Sequence, residues 1–164
     1  MIEHRENVVD LEDYNTMEVK EEHTEDDVTE DYPDLSIKIE SARFSIFELK
    51  RRYDRGMICV DPDFQRLAVW SNKQKSELIE SVIMGIPLPL IYLAENADGK
   101  LVVVDGRQRL TTFFEFLNNS FRLRDLKILK QINGMNIQEM DKNIKYSRYV
   151  TMIEDTQLAV QIIK

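Results

Sequence analysis

Residues 101–112 read Leu-Val-Val-Val-Asp-Gly-Arg-Gln-Arg-Leu-Thr-Thr, an apolar run that ends in Asp-Gly and passes at once into a pattern typical of a helix. Gly106 permits backbone conformations and close approaches that residues with a side chain do not. The start of a helix presents unpaired backbone N–H groups and the positive end of the helix dipole. A strand that ends at a helix start is therefore a favourable place for phosphate binding.

The residues alone leave two interpretations of this junction open. In the first, Asp105 binds a divalent cation, and Arg109, exposed in the first helical turn, binds phosphate. In the second, Asp-Gly makes an ordinary turn, Asp105 caps the helix, and the arginines are solvated or paired. The spacing by itself favours the second interpretation.

The charges of the chain are distributed very unevenly. It has 164 residues, the size of one domain, and a formal net charge of −8. Residues 1–34 carry 14 acidic and two basic residues, a net charge of −12, so that residues 35–164 have a net charge of +4. This composition predicts a disordered acidic leader over residues 1–35 and a folded domain over residues 36–164. The folded domain is mildly basic and suited to approach phosphates.

Several classes of protein are disfavoured by what the sequence contains. His4 and His23 both lie in the leader, so we expect no histidine-metal nuclease centre and no Ser-His-Asp triad in the folded domain. The chain has no Gly-rich loop ending in Gly-Lys-Ser/Thr. It also shows no signal peptide and no apolar run of membrane-spanning length, which predicts a cytoplasmic protein without a membrane partner. We expect the single cysteine, Cys59, to fill a core position of a strand.

Periodicity and turn residues predict alternating strands and helices. Ser45 and Ser71 have the spacing of helix-capping residues, and Asn-Ala-Asp-Gly at 96–99 is typical of a turn between two strands of a hairpin. We expect Leu110, Phe113, Phe114 and Leu117 to form the buried face of the helix that follows Asp-Gly. Gln108, Thr111, Thr112 and Glu115 should lie toward its other side. The predicted helices are 46–55, one from 71, 107–117 and 137–146, and the predicted strands are 37–39, 57–60, 90–94, 101–104, 121–123, 126–129 and 149–153.

Three blocks of sequence carry a family resemblance. They are Phe64-Gln65-Arg66 with Trp70, then Glu-Ser-Val-Ile-Met-Gly-Ile-Pro-Leu-Pro at 80–89, and Asp-Gly-Arg-Gln-Arg at 105–109. In order and spacing, from about Ser36 to Leu117, the chain resembles the N-terminal domain family of GmrSD-type modification-dependent restriction enzymes. The family motif is Asp-Gly-Gln-Gln-Arg, preceded by Tyr-Gln-Arg. Arg107 therefore replaces a glutamine, and Phe64 replaces a tyrosine.

The resemblance implies a fold of the ParB and sulfiredoxin group. We accordingly expect a compact α/β (α+β) domain in which helices flank a small mixed sheet. Members of the family usually continue into a Phe-x-Arg-x-Asn segment, a helical region and often a nuclease domain. Because this chain stops at Lys164, the resemblance implies either a fragment, truncated at its C-terminal end, or a minimal form.

The resemblance further implies a regulatory domain that binds a nucleoside triphosphate (GTP, CTP or ATP) with Mg²⁺ and controls action on DNA in defence against foreign DNA. Whether the nucleotide is hydrolysed is left open. The implied catalytic residues are Asp105, Gln108 and Arg109, with Asp105 also holding the metal, and the implied nucleotide-binding residues are Gln65, Arg66, Gly106, Arg107 and Thr111.

Two alternative functions remain open. In one, the domain is a nonenzymatic module that holds a nucleotide or a phosphate backbone, while a separate nuclease or effector subunit cuts the DNA. In the other, the acidic leader mimics nucleic acid and occupies a basic surface of this domain or of a partner. Measured turnover of nucleotide distinguishes an enzyme from a binding module.

Overall fold

The computed structural model describes residues 37–60 and 69–164, which lie within one compact unit, Ser36–Lys164. Its strands are β1 (Ile39–Ser45), β2 (Ile58–Cys59), β3 (Ile91–Glu95), β4 (Leu101–Asp105) and β5 (Gln157–Ile163). Its α-helices are α1 (Ile46–Asp54), α2 (Asn72–Ile83), α3 (Arg107–Leu117), α4 (Ile137–Lys142) and α5 (Ser147–Asp155). A 3₁₀ turn spans Lys130–Ile132.

The strands form one mixed sheet in the order β1-β5-β3-β4-β2. β1 is antiparallel to β5, β5 is parallel to β3, β3 is antiparallel to β4, and β4 is parallel to β2. The end of β4 and the start of β3 therefore lie at the same edge of the sheet. This arrangement brings Pro89 and Leu90, which precede β3, beside Asp105.

The core lies against one face of the sheet. Every second residue of the central strands is buried, as the two-residue period of a strand requires. Helix α2 contributes a buried stripe of Leu78, Ile79, Val82 and Ile83. Helix α3 contributes Leu110, Phe113, Phe114 and Phe116, whereas Leu117 is only half-buried. The buried strand residues are Ile58, Ile91, Leu93, Leu101, Val103, Leu158, Val160 and Ile162.

Local signals placed the first helices correctly. The hydroxyl of Ser45 accepts a hydrogen bond from the Glu48 N–H. The Glu48 carboxylate forms an ion pair with Arg52 and does not accept the Ser45 N–H, so this capping box is incomplete. Ser71 and Gln74 form a complete capping box at the start of α2. The predicted hairpin is confirmed as well, because β3 and β4 are antiparallel neighbours.

The second half of the domain corrects several predictions. Residues 121–123 and 126–129 form irregular chain and not strands, and the predicted helix 137–146 stops at Lys142. The β-branched and aromatic residues of 149–153 suggested a strand, but they lie in α5, where Val150 and Ile153 are buried three positions apart. Strand β5 was not predicted, although Leu158, Val160 and Ile162 alternate as in a half-buried strand.

The expected α+β class, with a small mixed sheet and flanking helices, is confirmed. The assignment to the ParB and sulfiredoxin group stays a prediction, as does the division into leader and domain. The leader itself lies outside the described residues. Cys59 is in a strand as expected, but it is exposed and not in the core. Within residues 37–60 and 69–164, no helix combines the length and apolar character needed to cross a membrane.

Candidate functional site

Gly106 joins β4 to α3 under two constraints. Its φ of +93° lies in the left-handed region, and a Cβ added to it would lie 2.3 Å from the Ile91 Cδ1. No side chain fits there without movement of Ile91. On that side the glycine is therefore closed by β3 and permits close packing within the protein.

Arg109 makes internal contacts on the same edge of the sheet. Only 12% of its side chain is exposed, which contradicts the expected exposed position in the first helical turn. Its Nη2 donates to the Leu90 carbonyl at 3.0 Å and to Asp105 Oδ2 at 3.1 Å, and its Nη1 donates to the Pro89 carbonyl. Arg109 thus connects the start of β3 to the end of β4.

Asp105 ends β4 with a side chain that is 66% exposed. It does not cap α3, because the N-cap residue is Gly106 and no side chain caps the helix. The capping role considered for Asp105 is therefore wrong, whereas the pairing of an arginine in this motif is observed. The Asp105 carboxylate remains accessible to a ligand while Arg109 holds one of its oxygens.

Gln108 contacts the chain that leads into α2. Gln108 Oε1 accepts a hydrogen bond from the Trp70 N–H at 3.4 Å. Arg107 and Thr111 are half-buried on the first two turns of α3. Thr112 was expected on the outer side but is fully buried, and its hydroxyl donates to the Gln108 carbonyl at 2.7 Å. The motif therefore contacts two other segments of the chain.

Phe64, Gln65 and Arg66 lie outside the described residues, so their predicted place beside the motif stays a prediction. On one side of them, Cys59 of β2 pairs with Val102 near the start of β4; on the other side, the Trp70 N–H donates a hydrogen bond to Gln108 of the motif. The chain thus leaves and re-enters the described part next to the strand and helix that carry Asp105 and Arg107.

The side chains at the site suit a metal ion whose other ligands are phosphate oxygens and water molecules. Among the described residues no three His, Cys, Asp or Glu side chains are grouped as a metal site. Mg²⁺ is commonly held by one or two carboxylates together with substrate phosphates and water. A single exposed carboxylate at Asp105 fits that mode of binding and does not fit a metal site built from protein ligands alone.

The structure adds contacts that sequence reasoning missed. The carbonyls of Pro89 and Leu90, the Ile91 side chain and the Trp70 N–H all touch the motif. Backbone acceptors have no residue signature, although proline favours an extended chain that lacks helical hydrogen bonds. Pro87 and Pro89 were the sequence feature that indicated backbone carbonyls without a helical hydrogen-bond partner before β3.

An open cavity of about 570 Å³ lies elsewhere, at the hairpin end of the sheet. None of the described site residues predicted from the motif lines it. Its walls include Tyr53, Cys59, Asn96, Asp98 and Lys100. The candidate site is therefore an exposed edge of the sheet, separate from this cavity.

Comparison with known proteins identifies the family. No curated protein and no solved structure matches the chain. The sequence model of one protein family, described as GmrSD restriction endonuclease, N-terminal domain, matches residues 45–162. The matched range includes every element from α1 to α5 and most of β5. The chain belongs to the GmrSD restriction endonuclease N-terminal domain family.

Proposed function

We propose that this domain binds a nucleoside triphosphate at the junction of β4 and α3 and regulates a restriction or defence system that acts on DNA. The family match supports the role in such a system. The observation that carries the nucleotide site is the convergence, at one edge of the sheet, of the exposed Asp105 carboxylate, the Arg109 guanidinium and the positive end of α3.

Each residue of the junction has a proposed task. Asp105 positions Mg²⁺ or water on the phosphates, and the chemistry that Mg²⁺ supplies is neutralisation of phosphate charge. Arg107 and the backbone at Gly106 contact phosphate, while Gln108 and Thr111 orient nucleotide or water. Arg109 holds Asp105 in place and stabilises phosphate charge through its remaining N–H groups. Gln65 and Arg66, which lie outside the described residues, are assigned to nucleotide binding by the family resemblance alone.

Calorimetry tests binding with GTP, CTP and ATP, each with and without Mg²⁺. We expect one of them to bind and Asp105→Asn to remove the Mg²⁺-dependent part of the affinity. Asp98→Asn is the matched control, because Asp98 is exposed in the hairpin turn at the other end of β4. A double variant, Gln65→Ala with Arg66→Ala, tests whether these two residues contribute to nucleotide binding. Absence of binding for all three nucleotides would refute the nucleotide site.

Turnover separates the enzyme from the nonenzymatic binding module. Arg107 stands where the family motif has glutamine, so we expect slow hydrolysis or none. Arg107→Gln should raise phosphate release if the substitution has altered a catalytic geometry. A wild-type chain that hydrolyses rapidly, with the variant no faster, would contradict this account. Binding without turnover in both proteins would identify a binding module that acts through a separate nuclease or effector subunit.

A further inference from the structure

The irregular segment 122–130 presents a row of basic side chains. Leu123, Leu126 and Leu129 recur at every third position and pack into or against the core. A basic residue follows each of them, and all three basic residues are exposed: Arg124, Lys127 and Lys130. We call these three residues the basic row. The leucines thus anchor the segment to the core, while the basic residue that follows each of them is left exposed to solvent.

The backbone beneath the basic row is held by side chains on both sides. Ser76 Oγ accepts from the Arg124 N–H at 2.9 Å, and Asn133 Oδ1 accepts from the Leu126 N–H at 3.0 Å. Glu80, only 6% exposed, accepts from the N–H groups of Ile128 at 2.8 Å and Leu129 at 2.7 Å. The cations therefore project from an ordered backbone, which lowers the entropy lost on binding.

The charges of the basic row are largely uncompensated. Within the part of the chain that the structure describes, Arg124 and Lys130 form no ion pair. Lys127 lies 3.5 Å from Glu77 but is 72% exposed, so this pair is weak. Arg122 differs, because its bonds to Glu139 raise its pKa and neutralise its charge locally. Asp125 is the one acidic residue of the segment.

We propose that the basic row binds the phosphate backbone of duplex DNA, at a surface distinct from the junction of β4 and α3. Three exposed cations within residues 124–130 of a fixed backbone suit contacts with neighbouring phosphates, and phosphate contacts position a protein without reading base sequence. The proposal does not rest on nucleotide binding. It predicts DNA affinity that depends strongly on salt and weakly on sequence.

The test is fluorescence anisotropy of the full chain on a labelled duplex of about 20 base pairs, titrated over a range of salt. The variant carries Arg124→Gln, Lys127→Gln and Lys130→Gln. The matched control carries the same charge change at three other exposed lysines, Lys100→Gln, Lys142→Gln and Lys145→Gln. Circular dichroism melting establishes that both variants are folded.

We expect the row variant to bind at least about tenfold more weakly at low salt. The magnitude of the negative slope of log K against log salt should decrease by about 2 to 3. The control should change the slope by much less. The proposal is overturned if the wild-type chain does not bind DNA at low salt, or if the row variant keeps its affinity and slope. Equal losses in both variants, or binding of duplex RNA without binding of DNA, would also overturn it.

Discussion

Gly106 is constrained at the scale of a single residue by backbone angle and by space. Its φ of +93° is unfavourable for a residue with a side chain, and the missing Cβ makes room for the Ile91 Cδ1. The two constraints are separable, because only the second depends on Ile91. Part of the glycine requirement at this motif is therefore structural.

We predict that Gly106→Ala lowers the free energy of unfolding by about 1–3 kcal/mol or more, through backbone strain and the clash together. Ile91→Val, which removes Cδ1, should cost about 0.5–1.5 kcal/mol alone. The double variant should cost less than the sum, since the valine relieves the clash with Cδ1 and leaves the backbone strain and a close contact of 3.3 Å with the Arg109 Nη2. Chemical denaturation measures all three, and strict additivity would show that Ile91 does not limit this position.

Arg109 connects two strands through backbone carbonyls, and only 12% of its side chain is exposed. We therefore expect Arg109→Ala to lower the free energy of unfolding by about 1–2 kcal/mol, as two carbonyls and a carboxylate lose a donor. Arg109→Lys should recover less than half, because an ammonium group lacks the planar fork. Arg43→Ala, at an exposed arginine of β1, is the control. A loss below about 0.5 kcal/mol for Arg109→Ala would show that water replaces these bonds.

At the scale of elements, a buried carboxylate joins α2 to the irregular segment 122–130. Glu80 lies among core residues on α2 and accepts backbone N–H groups of Ile128 and Leu129. The segment lacks a strand partner for these donors, so the carboxylate takes the place of a neighbouring strand. The backbone donors of this segment are therefore satisfied although the predicted strand 126–129 does not form.

We predict that Glu80→Ala costs at least about 2 kcal/mol, because bonds to a charged acceptor are lost in a buried place. Hydrogen exchange of the Ile128 and Leu129 amides should be faster in the Glu80→Ala variant than in the wild-type chain, and the β3 amides should be accelerated less. Glu77→Ala, three positions earlier on α2, should change stability by less than about 0.5 kcal/mol. Unchanged protection of Ile128 and Leu129 in the Glu80 variant would contradict the role.

Helix α5 carries a glutamate whose charge is unfavourable. Burial raises the pKa of Glu154 above its ordinary value of 4.5, and the charges of Asp141 and Asp155 raise it further. The ionised carboxylate therefore costs stability at neutral pH. The cost falls as pH falls through the raised pKa, because the folded state then takes up a proton before the unfolded state does, and it vanishes below the ordinary value.

We accordingly expect Glu154→Gln to raise Tm at pH 7 and to lose this advantage below about pH 4.5. Asp141→Asn should give a smaller gain over the same range, since it removes one source of repulsion. Calorimetric melts from pH 4 to pH 8 measure both, at roughly one unit intervals. A lower Tm for Glu154→Gln at pH 7 would show that the carboxylate makes a favourable contact.

At the scale of the whole molecule, an acidic segment precedes a mildly basic one in the same chain. Residues 1–34 have a net charge of −12, and residues 35–164 have a net charge of +4. An acidic segment in the same chain competes with phosphates for basic side chains at a high effective concentration. We therefore expect the leader to oppose DNA binding through electrostatic competition.

We predict that deletion of residues 1–34 strengthens DNA binding at low ionic strength. The gain should shrink near 0.15 M salt, where the Debye length is about 8 Å. A full-length variant with amides at Glu21, Glu22, Glu25, Asp26 and Asp27 controls for length. Anisotropy curves of full-length and truncated chains that coincide at low salt would show that the leader only solvates the protein.

Local signals in the sequence determined the first helix starts, the β3–β4 hairpin, the junction at Gly106 and the family. All but the family depend on residues a few positions apart, such as Ser71 with Gln74, so these preferences do not require distant parts of the chain to pack. Only the tertiary structure decided that 147–155 is a helix, that β5 enters the sheet beside β1, and that Arg109 contacts Pro89 and Leu90. β1 and β5 lie more than 100 residues apart in sequence, and their pairing is stabilised only when the whole core is present. Residues with strong β propensity at 149–153 are overridden for the same reason, because burial of one helical face outweighs a local preference.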